Sequence, residues 1–210
     1  NYEFGWKTSL LDGRMIFNGA IFRSEYDDKQ ESILIPVDLS NVATVVRNAS
    51  SLEMTGLELE VQYQLTEAWD VMATYGYLKS EYDDYIADLS GDGVITDNSD
   101  LVPRNTPENT FGLTTSYTAR VGNGDLKARI SYRFRDSMES ESQNNPLGSL
   151  DSIHNVNANI NYSINNYGIS VWGRNITDER EQRWSTIGGL TSRGWWNEPA
   201  TYGVTFSASF

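Results

Sequence analysis

A few stretches of the sequence carry side chains whose types and spacing suit recognition chemistry. Asp88, Ser90 and Asp92 put oxygens at alternate positions, Gly93 follows, and Val94 offers a backbone carbonyl. A calcium loop uses oxygens at its first, third and fifth positions, a glycine at the sixth and a carbonyl at the seventh. The twelfth position here is Ser99, where a bidentate Glu is usual, so Asp97 or Asp100 must complete the shell. Calcium in the 88–100 segment is thus a candidate ligand, and an ion-free acidic loop tip is the competing reading. A second stretch sets Arg183, Trp184, Arg193, Trp195 and Trp196 around Gly188, Gly189 and Gly194. Indole faces stack on sugars or aromatic groups, and guanidinium groups clamp anions. That suits a ligand site, although the same residues also suit an aromatic girdle or loop packing. Two further rows recur at every second position: Lys127, Arg129, Arg133 and Arg135, then Asn155, Asn157, Asn159 and Asn161. The amides can hold a sugar or form a ladder with their neighbours. His154 is the only histidine, and there is no cysteine. The sequence therefore offers no thiolate metal site, no disulfide framework and no nucleophile beside a base, and no enzyme activity or required cofactor is expected.

The rows must be positioned by strands. Leu126, Ala128, Ile130, Tyr132 and Phe134 oppose Lys127, Arg129, Ser131, Arg133 and Arg135. A strand sends successive side chains to opposite faces. The same alternation marks 2–10, 52–65, 71–82, 110–121, 153–164, 167–176 and 200–210. Residues 15–26 also read as a strand, but Phe17 and Ile21 fall on one parity and Ala20 and Phe22 on the other, so its faces stay open. Tight turns at 11–14, 66–70, 122–125 and 165–166 carry Asp-Gly, Asn-Gly or Asn-Asn signals or are simply short. The segments 27–51, 83–109, 136–152 and 177–199 are long. Within the first of them, Ile33–Pro36 and Val42–Val46 are expected to extend the flanking strands.

Nine strands with strictly alternating short and long connections point to an all-β, transmembrane, antiparallel up-and-down β-barrel, with short turns periplasmic and long loops outside. A soluble β-sandwich gives no reason for that alternation. Mean hydropathy is −0.49, and no apolar run is long enough for a membrane helix. Barrel strands need only about 9–11 alternating residues. A net charge of −13 argues against nucleic acid and suits water, cations or a cation-bridged lipopolysaccharide layer. Each Lys or Arg turned toward lipid costs about 2–4 kcal/mol near the midplane. Glu3, Lys7, Glu58, Glu60, Arg120, Lys127, Arg129, Arg133, Arg135, Asn157, Asn159 and Arg174 are therefore expected to face the lumen. Their simplest role there is pairing with whatever fills the lumen; direct ligand contact is the sharper one. Bacterial barrels use even strand numbers, and open edges are costly in lipid. Residues 1–210 are accordingly expected to be a C-terminal portion, with further strands upstream.

The last strand places Tyr202, Val204, Phe206, Ala208 and Phe210 on one face and ends on an aromatic residue. It resembles the signal that outer-membrane barrels present to their assembly machinery. Four motifs add a family resemblance: Val46-Arg47-Asn48-Ala49 leading to Thr55-Gly56-Leu57-Glu58-Leu59-Glu60; Val102-Pro103-Arg104-Asn105-Thr106-Pro107-Glu108-Asn109-Thr110-Phe111; Gly173-Arg174-Asn175-Ile176-Thr177-Asp178-Glu179; and Glu198-Pro199-Ala200-Thr201-Tyr202-Gly203. Together they resemble the C-terminal barrel of TonB-dependent outer-membrane receptors, with Ala200 standing where a basic residue is more usual. The resemblance implies a barrel of about 22 strands around an N-terminal plug, in the outer membrane of a Gram-negative bacterium. It also implies active uptake of a scarce nutrient (an iron-siderophore, cobalamin or a carbohydrate), energised by TonB–ExbB–ExbD through a plug lying outside these residues. The loop tryptophans tilt the cargo toward a carbohydrate. A passive porin or other channel is the alternative, and a soluble β-sandwich binding module the second.

Overall fold

Alternating residues become strands here because inter-strand pairing is the one extended arrangement that satisfies every backbone N–H and C=O without water. The computed structural model describes residues 1–37, 41–188 and 191–210, and at several strand positions, Trp184 among them, the backbone alone. Among the described residues there are strands and connections but no helix. The elements are β1 (Tyr2–Leu10), β2 (Met15–Pro36), β3 (Val42–Thr66), β4 (Trp69–Ala87), β5 (Thr96–Asp97), β6 (Asn109–Val121) and β7 (Gly124–Arg135). They continue with β8 (Met138–Glu139), β9 (Ser149–Leu150), β10 (Ile153–Ile164), β11 (Tyr167–Arg174), β12 (Gln182–Gly188), β13 (Thr191–Trp196) and β14 (Thr201–Ala208). The main sheet runs β1-β2-β3-β4-β6-β7-β10-β11-β14, with β5 beside β4. β8–β9 and β12–β13 are small separate ribbons within the long connections.

Register propagates one apolar face across the whole sheet. A single row of cross-strand neighbours reads Leu10, Met15, Tyr63, Val71, Thr115, Ile130, Ala158, Gly173 and Tyr202. It starts at the turn end of β1 and finishes at the loop end of β14, which is the stagger that closes tilted strands into a barrel. Phe4, Ile21, Ile130, Val171, Val204 and Phe206 on this face are exposed, as lipid contact requires. Toward the loops the outer face turns charged: Arg23 pairs with Glu25 at 3.0 Å and Glu53 at 2.7 Å, and Lys79 with Glu81 at 2.8 Å. Met15 to Arg23 is eight residues along β2, or about 26 Å at strand rise, close to the apolar band of a membrane barrel. His154 sits just inside that limit. Its ring lies 5.0 Å from Phe134 and 6.2 Å from Tyr132, whose hydroxyl is 2.8 Å from Nδ1. It is part of an aromatic belt.

The faces of β2, open on sequence, are decided by its partners. Phe17 and Ile21 stand opposite Val61 and Leu57 on the outer face. Ile16, Ala20 and Phe22 share the inner face with Gln62, Glu58 and Gly56. Phe22 fits because Gly56 has no side chain: a Cβ there would lie 2.2 Å from the Phe22 ring. Trp172 covers Gly203 in the same way, at 2.3 Å.

β2 and β3 continue through Ile33–Pro36 and Val42–Val46 as expected, and β4 runs on to Ala87, past its expected end at residue 82. Register shifts between Tyr26 and Lys29, and between Ser51 and Leu52 against β4, rephase them beyond the membrane band. There Ile33, Leu52, Tyr82, Tyr85 and Ala87 bury one another in a small core. The 177–199 connection is likewise more ordered than a loop, since it carries the β12–β13 hairpin.

Candidate ligand-binding site on the inner face

The charged inner residues fall into two sectors. Glu3, Glu58 and Glu60 stand on β1 and β3 with Lys7, whereas Arg120, Lys127, Arg129, Arg133, Arg135 and Arg174 stand on β6, β7 and β11. All of them share the face opposite the apolar rows, as the desolvation cost of a lipid-facing charge demands. A basic sector within a chain of net charge −13 concentrates positive potential on one stretch of wall.

At the loop end of that sector lies a concavity of about 1020 Å³, with Arg133, Arg135, Asn155, Asn157, Arg174, Asn175, Arg183 and Trp196 in its lining. Its roof is the β11–β14 connection, and Asn175 ties this roof to the wall. Asn175 is buried and adopts φ 48°. Its amide nitrogen donates to the carbonyls of Glu179 and Glu198, each at 3.0 Å. Its backbone N–H donates to Asn157 Oδ1 at 2.9 Å, and Asn157 in turn donates to Asn155 Oδ1 at 3.0 Å. The upper half of the amide row is thus a ladder bonded to Asn175. Glu181, also buried, accepts from Arg133 at 3.3 Å and lies 4.0 Å from Arg183. One carboxylate therefore serves two guanidinium groups, and among the described residues Arg135 and Arg174 have none. Arg135 donates to the carbonyls of Asp136 and Asp151. The lining carries four arginines and one carboxylate, Glu198, which suits an anionic ligand with an aromatic or flat part to lie on Trp196.

Of the residues predicted for the last connection, Arg183 and Trp196 line this concavity. Arg193 and Trp195 lie on β13 outside its lining, both exposed. Along β13 Arg193 and Trp195 share one parity and Trp196 has the other, so they lie on the opposite face of the hairpin strand. The side chain of Trp184 and all of Gly189 lie outside the described residues. Nothing in the sequence marks Asn175 or Glu181 as a site residue: Asn175 sits in the Gly173–Glu179 motif with no pattern of its own, and the spacing of Glu181 does not signal its burial.

The 88–100 segment is not gathered into an acidic cage. Both Asp88 oxygens accept backbone N–H groups, from Gly91 at 2.7 Å and Gly93 at 2.9 Å. Burial works to raise the Asp88 pKa, but these N–H donors and Ser90 hold it below the usual range. Asp92 turns to the Val94 N–H, and Asp97 to the hydroxyl and N–H of Ser99, which lower its pKa. Among the described residues no three acidic or histidine side chains converge on one point. The carboxylates of Asp88, Asp92 and Asp97, expected with Ser90 and the Val94 carbonyl as calcium ligands, cap their own loop in this structure.

Another acidic residue has a larger structural part. Glu31, on the β2 extension, is fully buried beside the small core. It accepts from Ser142 Oγ at 2.7 Å and Tyr82 OH at 3.0 Å, pairs with Lys29, and lies 3.5 Å from Arg104 Nε. Burial alone would raise its pKa, but Lys29 and Ser142 outweigh that and leave it lowered. The same burial raises Tyr82, and pushes Tyr85 up to about 12. Asn144 exchanges two hydrogen bonds with the backbone of Val102. Ser140 donates to the Ser185 carbonyl at 3.0 Å, and Ser185 donates to the Leu147 carbonyl at 3.0 Å. Three of the long connections, 83–109, 136–152 and 177–199, therefore hold one another at the loop end of the sheet.

An antiparallel meander with an apolar outer face, a charged inner face, short turns at one end and packed loops at the other is the wall of an outer-membrane β-barrel. The model of the TonB dependent receptor-like β-barrel family matches residues 1–176. The chain belongs to this family, whose members are outer-membrane barrels of Gram-negative bacteria. It is 30% identical over 81 residues to the ferric-pyoverdine 358 receptor of Pseudomonas putida, covering 39% of this chain and 10% of that protein. It is 30% identical over 80 residues to the probable TonB-dependent siderophore receptor PiuA of Acinetobacter baumannii, covering 38% and 10%. Among solved structures, the ferric yersiniabactin uptake receptor FyuA of Yersinia pestis superposes with a TM-score of 0.75 at 16% identity, over 99% of this chain and 29% of that one. The siderophore receptor PiuA of Acinetobacter baumannii gives 0.69 at 23% identity, over 97% and 27%. These likenesses establish the fold, and the chain spans well under a third of each protein.

Proposed function

We propose that this chain forms part of the wall of a receptor for TonB-energised uptake of an anionic ferric siderophore. The observation that carries the reading is the arginine-lined concavity beneath the interlocked loops of a TonB-dependent receptor barrel. Arg135, Arg174 and Arg183 present guanidinium groups to an anion, and Trp196 presents an indole face. In this reading the nine strands join others in a closed barrel, and Tyr202, Val204, Phe206 and Phe210 serve as the signal to the assembly machinery. The charged outer rim at Arg23 and Lys79 meets lipopolysaccharide, and TonB–ExbB–ExbD acts through a plug. The protein is a transporter and not an enzyme. The carbohydrate cargo favoured by the tryptophans loses ground on two counts. Trp195 lies outside the lining, and the relatives named above are described as receptors for ferric pyoverdine, ferric yersiniabactin or a siderophore.

The test is equilibrium binding of ferric chelates and oligosaccharides to the full-length protein in detergent, with Arg183→Gln and Trp196→Ala. A lost hydrogen bond to a charged group is worth about 1.5–3 kcal/mol, so R183Q should weaken an anionic chelate roughly 10- to 100-fold. Oligosaccharide binding in the absence of any chelate binding would replace the siderophore reading with the carbohydrate one. Expression induced by iron starvation rather than by a glycan would support the former.

A further inference from the structure

On the outer face of β2, β3 and β4 the chemistry changes in two steps at the loop end of the apolar band. Ile21, Leu57 and Tyr77 form the last apolar row. The next row outward is Tyr2, Arg23, Thr55 and Lys79, and the one after it is Glu25, Glu53 and Glu81. Successive rows of one face are about 6.6 Å apart, and Arg23 and Lys79, two strands apart, are separated by roughly 10 Å at Cα. This face looks away from the lumen, so nothing that fills the barrel covers it. Cations reach it at one height only. Among the described residues of the membrane strands, Arg23 and Lys79 face outward, both at the loop end, and the other lysines and arginines face inward.

The sheet itself gains little from these charges. Arg23 pairs with Glu25 and Glu53, and Lys79 with Glu81, but the five side chains are 32% to 64% exposed, and ion pairs that open to water contribute little. Three carboxylates abreast on neighbouring strands also repel one another. Among the described residues both ion pairs of Arg23 run through Nη2, and Lys79 Nζ pairs with Glu81 alone. The Nη1 and Nε edge of Arg23 and two N–H groups of Lys79 can therefore donate further. The Thr55 hydroxyl stands between them in the same row. Tyr2 and Tyr77 border the site, and amphipathic rings of this kind sit at headgroup level.

We infer that Arg23, Thr55 and Lys79 form a phosphate site for one outer-leaflet glycolipid of the lipopolysaccharide class. This deepens the lipopolysaccharide contact of the proposed function and rests on that part of it alone. The order of the rows matches the order of groups in such a lipid. Acyl chains lie along the apolar rows that end at Ile21, Leu57 and Tyr77. The phosphate meets the basic row, since anionic headgroups attract basic side chains at a membrane surface. The glutamate row beyond it repels phosphate and so holds it at the lower level, while the carboxylates accept from sugar hydroxyls and amide N–H groups. A phospholipid supplies phosphate and chains but no sugar to meet the three carboxylates, so the glycolipid fits better. The turn end faces the other leaflet, and there the described outer face carries no cation.

The probe is lipid A carrying both of its phosphates, titrated into the delipidated full-length protein in detergent micelles and followed by native mass spectrometry. EDTA is present, so that no divalent ion bridges lipid and protein. The wild type should bind the probe saturably, and lipid A stripped of phosphate should bind roughly 10-fold more weakly or worse. The same loss is expected for Arg23→Gln/Lys79→Gln, whereas Arg23→Lys should stay within about threefold. Phosphatidylglycerol at equal concentration should not displace the probe. Equal wild-type affinity for intact and stripped lipid A overturns the phosphate site, whatever the substitutions do to folding. Displacement by phosphatidylglycerol replaces the glycolipid with a phospholipid, and binding that needs magnesium replaces direct contact with an ion bridge. Unchanged affinity in the double variant overturns the assignment to these residues. None of these results bears on whether ferric chelates bind the upper concavity, which the chelate titration reads separately.

Discussion

Replacing Glu31 with glutamine should loosen the interlocked loops at the loop end of the sheet while leaving the barrel wall intact. The Glu31 side chain has no exposure, whereas Lys29 and Arg104 keep 27% and 35%. Gln keeps the size and shape but removes the charge. Breaking a buried pair by losing one partner costs about 3–5 kcal/mol, and the partial solvation of both cations puts the estimate at the low end, about 3 kcal/mol. Charge-assisted bonds from Ser142 and Tyr82 weaken as well. The 136–152 connection is held to β2 through Ser142, so the loss falls on local opening. At a factor of ten per 1.4 kcal/mol, hydrogen exchange there should speed up roughly 100-fold. The amides to follow are Val102, Asn144 and Gly148, which bond within or between the loops; β7 and β10 amides serve as the unchanged reference. Rates at the loop amides within threefold of wild type would refute the latch. The sign with pH follows from the lowered Glu31 pKa. Its stabilisation is complete above the ordinary value of 4.5 and is lost as pH falls through the lower folded value. After correction for intrinsic exchange, wild-type loop amides should lose protection below that value, and those of E31Q should not.

Two further perturbations test the wall itself. Gly56→Val puts a Cβ 2.2 Å from the Phe22 ring, so overpacking of about 1–3 kcal/mol should lower the melting temperature, and adding Phe22→Ala should restore it; a valine tolerated without that second change contradicts the fit. Deleting Phe210 should reduce the amount of protein inserted in the outer membrane without changing ligand affinity in the fraction that inserts, and normal insertion would remove the last residue from the assembly signal.

Much of this wall is legible in the linear chain. Alternation in β7, β10 and β14 assigns their faces because lipid and a wet lumen select opposite polarities at successive residues. The places where reading the chain falls short share a different cause. β2 carries apolar residues on both parities, and only Gly56 on β3 explains why Phe22 can point inward. Asp88 and Asp92 have the spacing of cation ligands, and that spacing does not show that the Gly91, Gly93 and Val94 N–H groups donate to the same carboxylates. Arg193 and Trp195 share a segment with Arg183 and Trp196, but once β13 is a strand their parity differs from that of Trp196, and they stay outside the lining.

The sequence by itself determines the strands of the main sheet, their tight turns, the alternation of short and long connections, and the apolar and polar faces of every main strand but β2. Each of these is set by residues within a few positions of one another. The tertiary structure alone decides which arginines share a concavity, because that depends on register across β7, β10 and β11. It alone buries Glu31 against Ser142, 111 residues away. Contacts of that separation are fixed by packing between loops, and no local pattern in the chain encodes them.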